Sequence, residues 1–524
     1  MTVTRRRFLG AAATAVAAAT VLPYEARART VVAKEPAKLT DIEHVVILMQ
    51  ENRSFDHYYG SMHGVRGYSD PTISREPGES PFYQIDPLAV RSGSLFPYVT
   101  PWHFDTKTTS AQEWGGLSHA WSVEHGSWNS GLMDGFVVAH RIGDDLVDNY
   151  GTSNNAPGTM AYFTREDIPY HYALADAFTI CDAYHASVQG PTNPNRIMLW
   201  SATIDPDGTM GGPCVDNSQV NGQLHWTSYP ERLQAAGIDW YLYQETDNFT
   251  DNMLPFFKGF NDTRTDMYRR GNSFIPTPKG QAYGPALAAK LKRDVLSGNL
   301  PQVSWIVGCY LNSEHPAATP SYGANFINQV IDALTSDPEV WAKTVLFINF
   351  DENDGFFDHV KPPTAPPNTP GEYVSPEVAV ANGFNTEGFP GPVGLSFRVP
   401  MTIVSPFTRG GLVCSDVFDH TSTLLFLERR FGVEVPNLSA WRRETVGDLT
   451  SAFNFAAGAD LSLPKLPNTE DLVRSANEQA RLKPATPPAT PAALPTQEPG
   501  PSRPRPSGIV KPATRKVTTA SKPR

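Results

Sequence analysis

The chain has 524 residues, 40% of them apolar and 11% aromatic, enough for a large core and, by length, roughly two to four domains. Its 40 glycines and 47 prolines point to a loop-rich globular protein rather than a helical bundle. The formal charge is −11; residues 1–28 carry +3 and residues 481–524 carry +8, which leaves −22 on the body between them and argues against nucleic acid as a partner.

The N-terminus holds a twin-arginine pattern, Thr4-Arg5-Arg6-Arg7-Phe8-Leu9, then an Ala-rich apolar run and the small-x-small site Ala26-Arg27-Ala28. Residues 1–28 therefore read as an export signal, too short and too weakly apolar to span a membrane. The mature protein is expected to be secreted or associated with the cell envelope. Residues 29–470 form the expected folded domain.

The first apolar run, His44–Met49, reads as a buried strand, and so do Val303–Val307, Thr344–Phe350 and Val399–Val404. All four are continuous rather than alternating, as in a parallel sheet covered on both faces. Helix-like segments, Asn325–Thr335 and His420–Phe431, fall between or after them. This alternation predicts an α/β sandwich with a mostly parallel central sheet. The Asn-, Asp-, Tyr- and Phe-rich stretch at about 226–275 is expected to be a smaller inserted lobe. Residues 480–524 are basic, Pro-rich and free of aromatics, so a disordered tail is expected there, with attachment to an anionic envelope polymer as one use for it. Cys181, Cys214, Cys309 and Cys414 match no zinc-site spacing and leave one or two disulfides, or buried thiols, open.

Polar clusters follow three of the runs: "ENRSFDHYYG" after the first, "GCYLNSEHP" after the second and "DENDGFFDHV" after the third. If the strands are parallel, all three lie at the carboxyl edge of the sheet, where open α/β sheets bind ligands. Asp351 and Glu352 are adjacent carboxylates between aromatic residues. A divalent cation would remove the repulsion that otherwise raises one pKa. Glu51 and Asn52 offer two further hard oxygens, favouring Mg, Ca or Mn, although a helix cap with a first-turn acid explains the same pair. Gly190-Pro191-Thr192 reads as a turn into a helix, so Thr192 is either only the N-cap of that helix or a nucleophile beside an anion-binding N-terminus. His119, His125 and His315 are candidates for contact with a phosphoryl group or for proton transfer, and His359, Asp419 and His420 for supporting roles. Trp102, Trp114, Trp121 and Trp128 could cage a quaternary ammonium or simply pack in the core. A Ser-His-Asp hydrolase is disfavoured because no G-x-S-x-G elbow is present.

Taken together, "QENRSFDHYYG", "HAWSVEHGSWNSGLMDGF", "GPTNPNR", "SEHP", "DENDGFFDHV", "VPMTIVSPFTRGG" and "FDHTS" resemble the bacterial phosphoesterase family of phosphatidylcholine-type phospholipases C and acid phosphatase A. The resemblance spans residues 44–422. It implies an alkaline-phosphatase-like three-layer α/β fold and one metal held by Glu51, Asn52, Asp351 and Glu352. It further implies the Thr192 hydroxyl as both ligand and nucleophile, and contact of His119, His315 and Asn52 with the phosphoryl group. Thr rather than Ser in "GPTNPN" is similar to the phospholipase branch, so a phospholipid at a membrane surface is the expected substrate. A phosphomonoesterase on the same scaffold and a non-catalytic envelope-binding protein are the other readings. Some members carry additional C-terminal β domains; this sequence runs into the basic tail instead.

Overall fold

The computed structural model describes residues 35–143, 153–381 and 390–508; residues 1–28, the expected export signal, lie outside them. Seven strands build the central sheet: β1 (His44–Gln50), β2 (Thr179–Cys181), β3 (Trp240–Tyr243), β4 (Val303–Ile306), β5 (Thr344–Phe350), β6 (Met401–Val404) and β7 (Leu412–Cys414). Their order is β7-β2-β6-β5-β1-β4-β3. The helices that place the site or cover the sheet are α1 (Phe55–Tyr59), α2 (Trp121–Trp128), α3 (Thr192–Ser201), α4 (Pro285–Leu296), α5 (Pro320–Leu334) and α6 (His420–Phe431).

Successive β1 residues enter opposite apolar layers, the period of two that a strand imposes. Val45 and Ile47 join a core with Ile197 of α3 and Leu424 of α6. Val46 and Leu48 join one with Leu291 of α4 and Ile327 of α5. The fold is thus a three-layer α/β sandwich, as the continuous apolar runs predicted.

Strand β1 pairs in parallel with β4 on one side and β5 on the other. The carboxyl ends of β1, β4 and β5 therefore open onto one edge and bring the three polar clusters together. Two backbone bonds extend the ladder into them: Glu51 N–H donates to Ser313 O (2.7 Å) and Asp351 N–H to Gln50 O (3.1 Å).

Three expectations need correction. Strand β6 is antiparallel to both β5 and β2. It returns beside β5 after the 351–400 excursion, and an apolar run does not encode strand direction. The 226–275 stretch does not stand apart as a lobe. It supplies edge strand β3, whose Trp240 and Leu242 are fully buried, and so completes the sheet. The tail is ordered as far as residue 508. Arg503 donates to Ala175 O (2.9 Å) and His63 O (3.0 Å), Glu498 pairs with Arg165, and Val413 N–H donates to Pro504 O (3.0 Å). A proline-rich chain loses less entropy on ordering, and these polar anchors fix it to the body; residues 509–524 lie outside the described ones. Of the two alternatives left open for the cysteines, the structure has the buried free thiols, at all four positions.

Candidate active site

The adjacent acids of the β5 turn face two ways. Asp351 Oδ1 accepts from the backbone of Asn52 (3.1 Å) and Glu352 (2.8 Å), and its Oδ2 accepts from Arg196 Nε (3.1 Å). Arg196 Nη2 also donates to Glu51 (2.8 Å) and pairs with Asp251 (3.2 Å). Glu352 lies 3.6 Å from His119 Nε2, and His119 Nδ1 lies 3.5 Å from Asp354. All of these residues are buried. The site is therefore a dry crowd of carboxylates in which Arg196 faces Glu51, Asp351 and Asp251 at once.

That crowding shows in the titration of the acids. Burial, reinforced by Glu51 and opposed by Arg196, pushes Asp351 up to about 7. Burial also drives Glu352 and Asp251 well above the ordinary carboxylate range. Glu124 of α2, buried near His119, is pushed up to about 8 for the same reason. A cation among these groups offsets a cost that otherwise falls on the native state.

The donor set fits a hard divalent ion. Glu51 Oε2, Asn52 Oδ1 and Glu352 Oε1 are buried acceptors that receive no hydrogen bond. Such orphaned oxygens are rare in a native interior and mark a missing partner. His119, Glu352 and Asp354 also bring ligand atoms within 4.8 Å of one another and could hold a metal ion, with Glu352 common to both sets. A second acidic group, Asp56, Asp358 and His359, needs no ion. Arg398 Nη2 lies 3.0 Å from Asp56 and 2.7 Å from Asp358, and His359 Nδ1 lies 2.6 Å from Asp56. It locks α1 to the segment after the acidic turn.

Thr192 is the first residue of α3, and Pro191 before it is the N-cap. Thr192 is therefore not the cap that sequence reasoning had allowed. It is half-buried, whereas the next nine residues of the helix are buried. Arg196, which pairs with Glu51 and Asp351, lies one turn further on the same helix face as Thr192. In the first turn Asn193 N–H donates to Asn217 Oδ1 (2.9 Å) and Pro194 has no N–H, so the Thr192 N–H and the helix dipole are what favour an anion there. Asn195 fixes the turn before Thr192. Its amide nitrogen donates to the carbonyls of Val188 (3.1 Å), Gly190 (2.8 Å) and Pro191 (3.1 Å), and its oxygen accepts from Val188 N–H (2.9 Å).

Backbone strain concentrates here. Asn52 (φ 57°), Glu314 (φ 71°) and Asp354 (φ 53°) are non-glycine residues in the left-handed region, one in each of the three clusters. At Gly355 (φ 72°) a Cβ would meet His140 Nε2 at 2.1 Å and Ser118 O at 2.8 Å, so no other residue fits the turn. Glu314 is satisfied by Gln50 (3.1 Å), Tyr58 (2.6 Å) and His171 (3.0 Å) and holds in place the turn that carries His315.

The two histidines share a tautomer. His119 Nδ1 bonds Leu117 O (2.9 Å) and His315 Nδ1 bonds Pro316 O (2.8 Å). A carbonyl only accepts, so Nδ1 carries the hydrogen and Nε2 is the nitrogen that gains and loses a proton. Burial holds His315 below the ordinary imidazole range, with His119 and Arg53 acting in the same sense and Asp354 opposing.

Other candidates fall outside this centre. His125 is held between the carbonyls of Trp121 (2.7 Å) and Pro392 (3.1 Å). His420 Nε2 bonds the Asp351 carbonyl (2.7 Å) and so supports the acidic turn, while Asp419 caps α6 and pairs with Arg442. Trp102 and Trp121 are buried, and Trp102 packs edge-on against Phe104 and Trp114. Arg53, Asp56 and His57 hold the β1–α1 turn; His57 stacks on Phe356 at 3.7 Å and Arg53 Nε donates to Glu314 O (2.8 Å). Arg196, Asp251, Asp354, Glu124 and Asn195 were missed from sequence. Arg196 was within reach, since it lies four residues after Thr192 in an expected helix, and Asp354 lies three after Asp351; Asp251 arrives only through the tertiary fold.

A family model described as the phosphoesterase family matches residues 42–434, about three-quarters of the chain. The chain belongs to the phosphoesterase family, and it is a hydrolase acting on phosphoric ester bonds. Non-hemolytic phospholipase C of Pseudomonas aeruginosa is 44% identical over 503 residues, covering 92% of this chain and 68% of its own length. Phospholipase C B of Mycobacterium tuberculosis is 40% identical over 540 residues, covering 97% of this chain and 98% of its own. Among solved structures, a protein of the alkaline phosphatase superfamily from Vibrio parahaemolyticus covers 86% of this chain and 88% of its own at 12% identity and a TM-score of 0.35, a distant likeness only.

Proposed function

We propose that this protein is a secreted phospholipase C that cleaves phosphatidylcholine-type phospholipids into diacylglycerol and phosphocholine, with Thr192 as nucleophile. The observation that carries the reading is the placement of Thr192 at the first position of α3, one turn from the Arg196 that joins Glu51 to Asp351. The two phospholipase C relatives support the substrate class. Glu51, Asn52, Asp351 and Glu352 would hold a divalent ion (Ca, Mg or Mn by their hard oxygens), with the Thr192 hydroxyl beside it. Such an ion lowers the pKa of a neighbouring hydroxyl and offsets charge on phosphoryl oxygens.

The chain's own groups do the rest. Thr192 Oγ1 forms the bond to phosphorus in line with the departing glycerol oxygen. The α3 N-terminus and Asn52 face the developing charge on the remaining oxygens. His315 or His119 takes up at Nε2, through solvent, the proton that Thr192 loses and gives it to the leaving alkoxide, so diacylglycerol departs as a neutral alcohol. Water then cleaves the phosphothreonine, returning the hydroxyl and releasing phosphocholine. Export by the twin-arginine route would put a folded, metal-loaded enzyme where exogenous lipid is met.

The test is a parallel assay of phosphatidylcholine, sphingomyelin and p-nitrophenyl phosphate across pH, with metal analysis of the same preparation. Cleavage of phosphatidylcholine to phosphocholine by protein holding one divalent ion is the expected result. Hydrolysis of p-nitrophenyl phosphate with phosphatidylcholine untouched would replace this reading with a phosphomonoesterase.

A further inference from the structure

The loop after β3 reaches into the site at two points. Asp251 pairs with Arg196 at 3.2 Å, and its carboxyl lies against Glu51. Two residues earlier, the Phe249 ring sits 5.3 Å from His315, edge-on at 72°, and 4.8 Å from Tyr310. Phe249 (φ 52°) and Thr250 (φ 66°) are consecutive non-glycine residues in the left-handed region. An aromatic residue pays for that backbone only where its surroundings over-determine it. The surroundings do so: Asn248 donates to Gln244 (2.8 Å), and Asn252 donates to Gly271 O (2.8 Å) while accepting from Leu254 N–H (3.0 Å). The ring is thereby held against His315. Phe249 and Tyr310 are half-buried, and Leu311 next to them is 51% exposed. Glu51 and Asp351, both paired with Arg196, and Glu352 beside His119 make up the polar part of the site.

We propose that Phe249 and Tyr310, continued outward by Leu311, form the subsite for the apolar leaving alcohol, so that Phe249 sets the enzyme's preference for a diacylglycerol leaving group. This rests on the phospholipase C reading and on His315 as the group facing the leaving oxygen. An alcohol departing against His315 has the Phe249 ring within van der Waals reach, and its glycerol and first acyl methylenes lie over Tyr310 and Leu311. The polar half of the site takes the phosphoryl group.

Two substrates share the phosphocholine group and differ only in what leaves: long-chain phosphatidylcholine in mixed micelles, and p-nitrophenylphosphocholine. Kinetics of wild type, Phe249→Ala and Phe249→Leu are measured on both. The ratio of kcat/KM for the lipid over that for the nitrophenyl ester should fall about ten-fold in Phe249→Ala, mainly through KM for the lipid, as loss of one buried aromatic contact requires. Phe249→Leu should restore most of it. An unchanged ratio, with both substrates losing equally or neither changing, overturns the proposal: Phe249 then serves phosphocholine or merely braces His315. A wild-type enzyme that cleaves neither ester overturns the phospholipase reading itself, and with it this assignment.

Discussion

Asn195→Ala removes the clamp that sets the turn before the nucleophile without touching Thr192. Asn195 is fully buried, and its amide makes four contacts with the backbone of Val188, Gly190 and Pro191. Two of those groups keep another partner in the variant, since Val188 O accepts from Gly190 N–H and Pro191 O from Asn195 N–H. Gly190 O and Val188 N–H lose theirs. An unsatisfied buried group costs about 1–3 kcal/mol, so two, partly relaxed, should cost about 3 kcal/mol of stability. The larger effect is on position. A shift of about 1 Å at a nucleophile lowers turnover about 100-fold. Steady-state assay with phosphatidylcholine should show kcat down by that order with little change in KM, and denaturant unfolding should show the stability loss. Normal kcat alongside the stability loss would refute the role of Asn195 in holding Thr192 for attack. An unchanged unfolding midpoint would refute the hydrogen-bond reasoning itself.

Arg398→Met strands Asp56 and Asp358 as buried acids and should cost about 3–5 kcal/mol in denaturant unfolding; a loss under about 1 kcal/mol would mean the cluster is not a structural lock. Burial holds His185 at about 4, below the ordinary 6.5, so the unfolded chain takes up its proton first on acidification. Stability from this group is complete above pH 6.5 and is lost as pH falls toward 4, by about 3 kcal/mol in all. His185→Gln should flatten the stability–pH slope in that window by about one proton. Glu498 is raised by burial, but Arg165 and His63 outweigh this and hold it near about 2, so its hold on the tail is present above pH 4.5 and lost as pH falls to 2. Glu498→Gln should expose residues 481–508 to limited proteolysis at neutral pH, where the native tail resists.

The central sheet was legible because β1, β4 and β5 are uninterrupted apolar runs, and their polar ends implied the edge at which Glu51, His315 and Asp351 meet. The direction of β6 was not, since pairing sense is decided by the path of residues 351–400 rather than by side-chain type. Strand β3 was hidden because "WYLY" is too short to stand out within a polar, aromatic stretch. The order of residues 480–508 depends on partners such as Asp176 and Arg165 far away in the chain, which composition does not reveal. Within the site, the hard-oxygen residues were readable from their adjacency to strand ends. Arg196 had a weak signal in its four-residue spacing from Thr192. Asp251 and Phe249 had none, because a strained loop from the far edge of the sheet carries them in.

The most direct measurement is turnover of phosphatidylcholine by Thr192→Ala, with circular dichroism and metal content recorded on the same sample. Thr192 is half-buried and is not the N-cap of its helix, so the fold should be unchanged. Phosphocholine release should fall to background while the divalent ion held by Glu51, Asn52, Asp351 and Glu352 is retained. Near-normal phosphocholine release from a correctly folded Thr192→Ala protein would contradict the account.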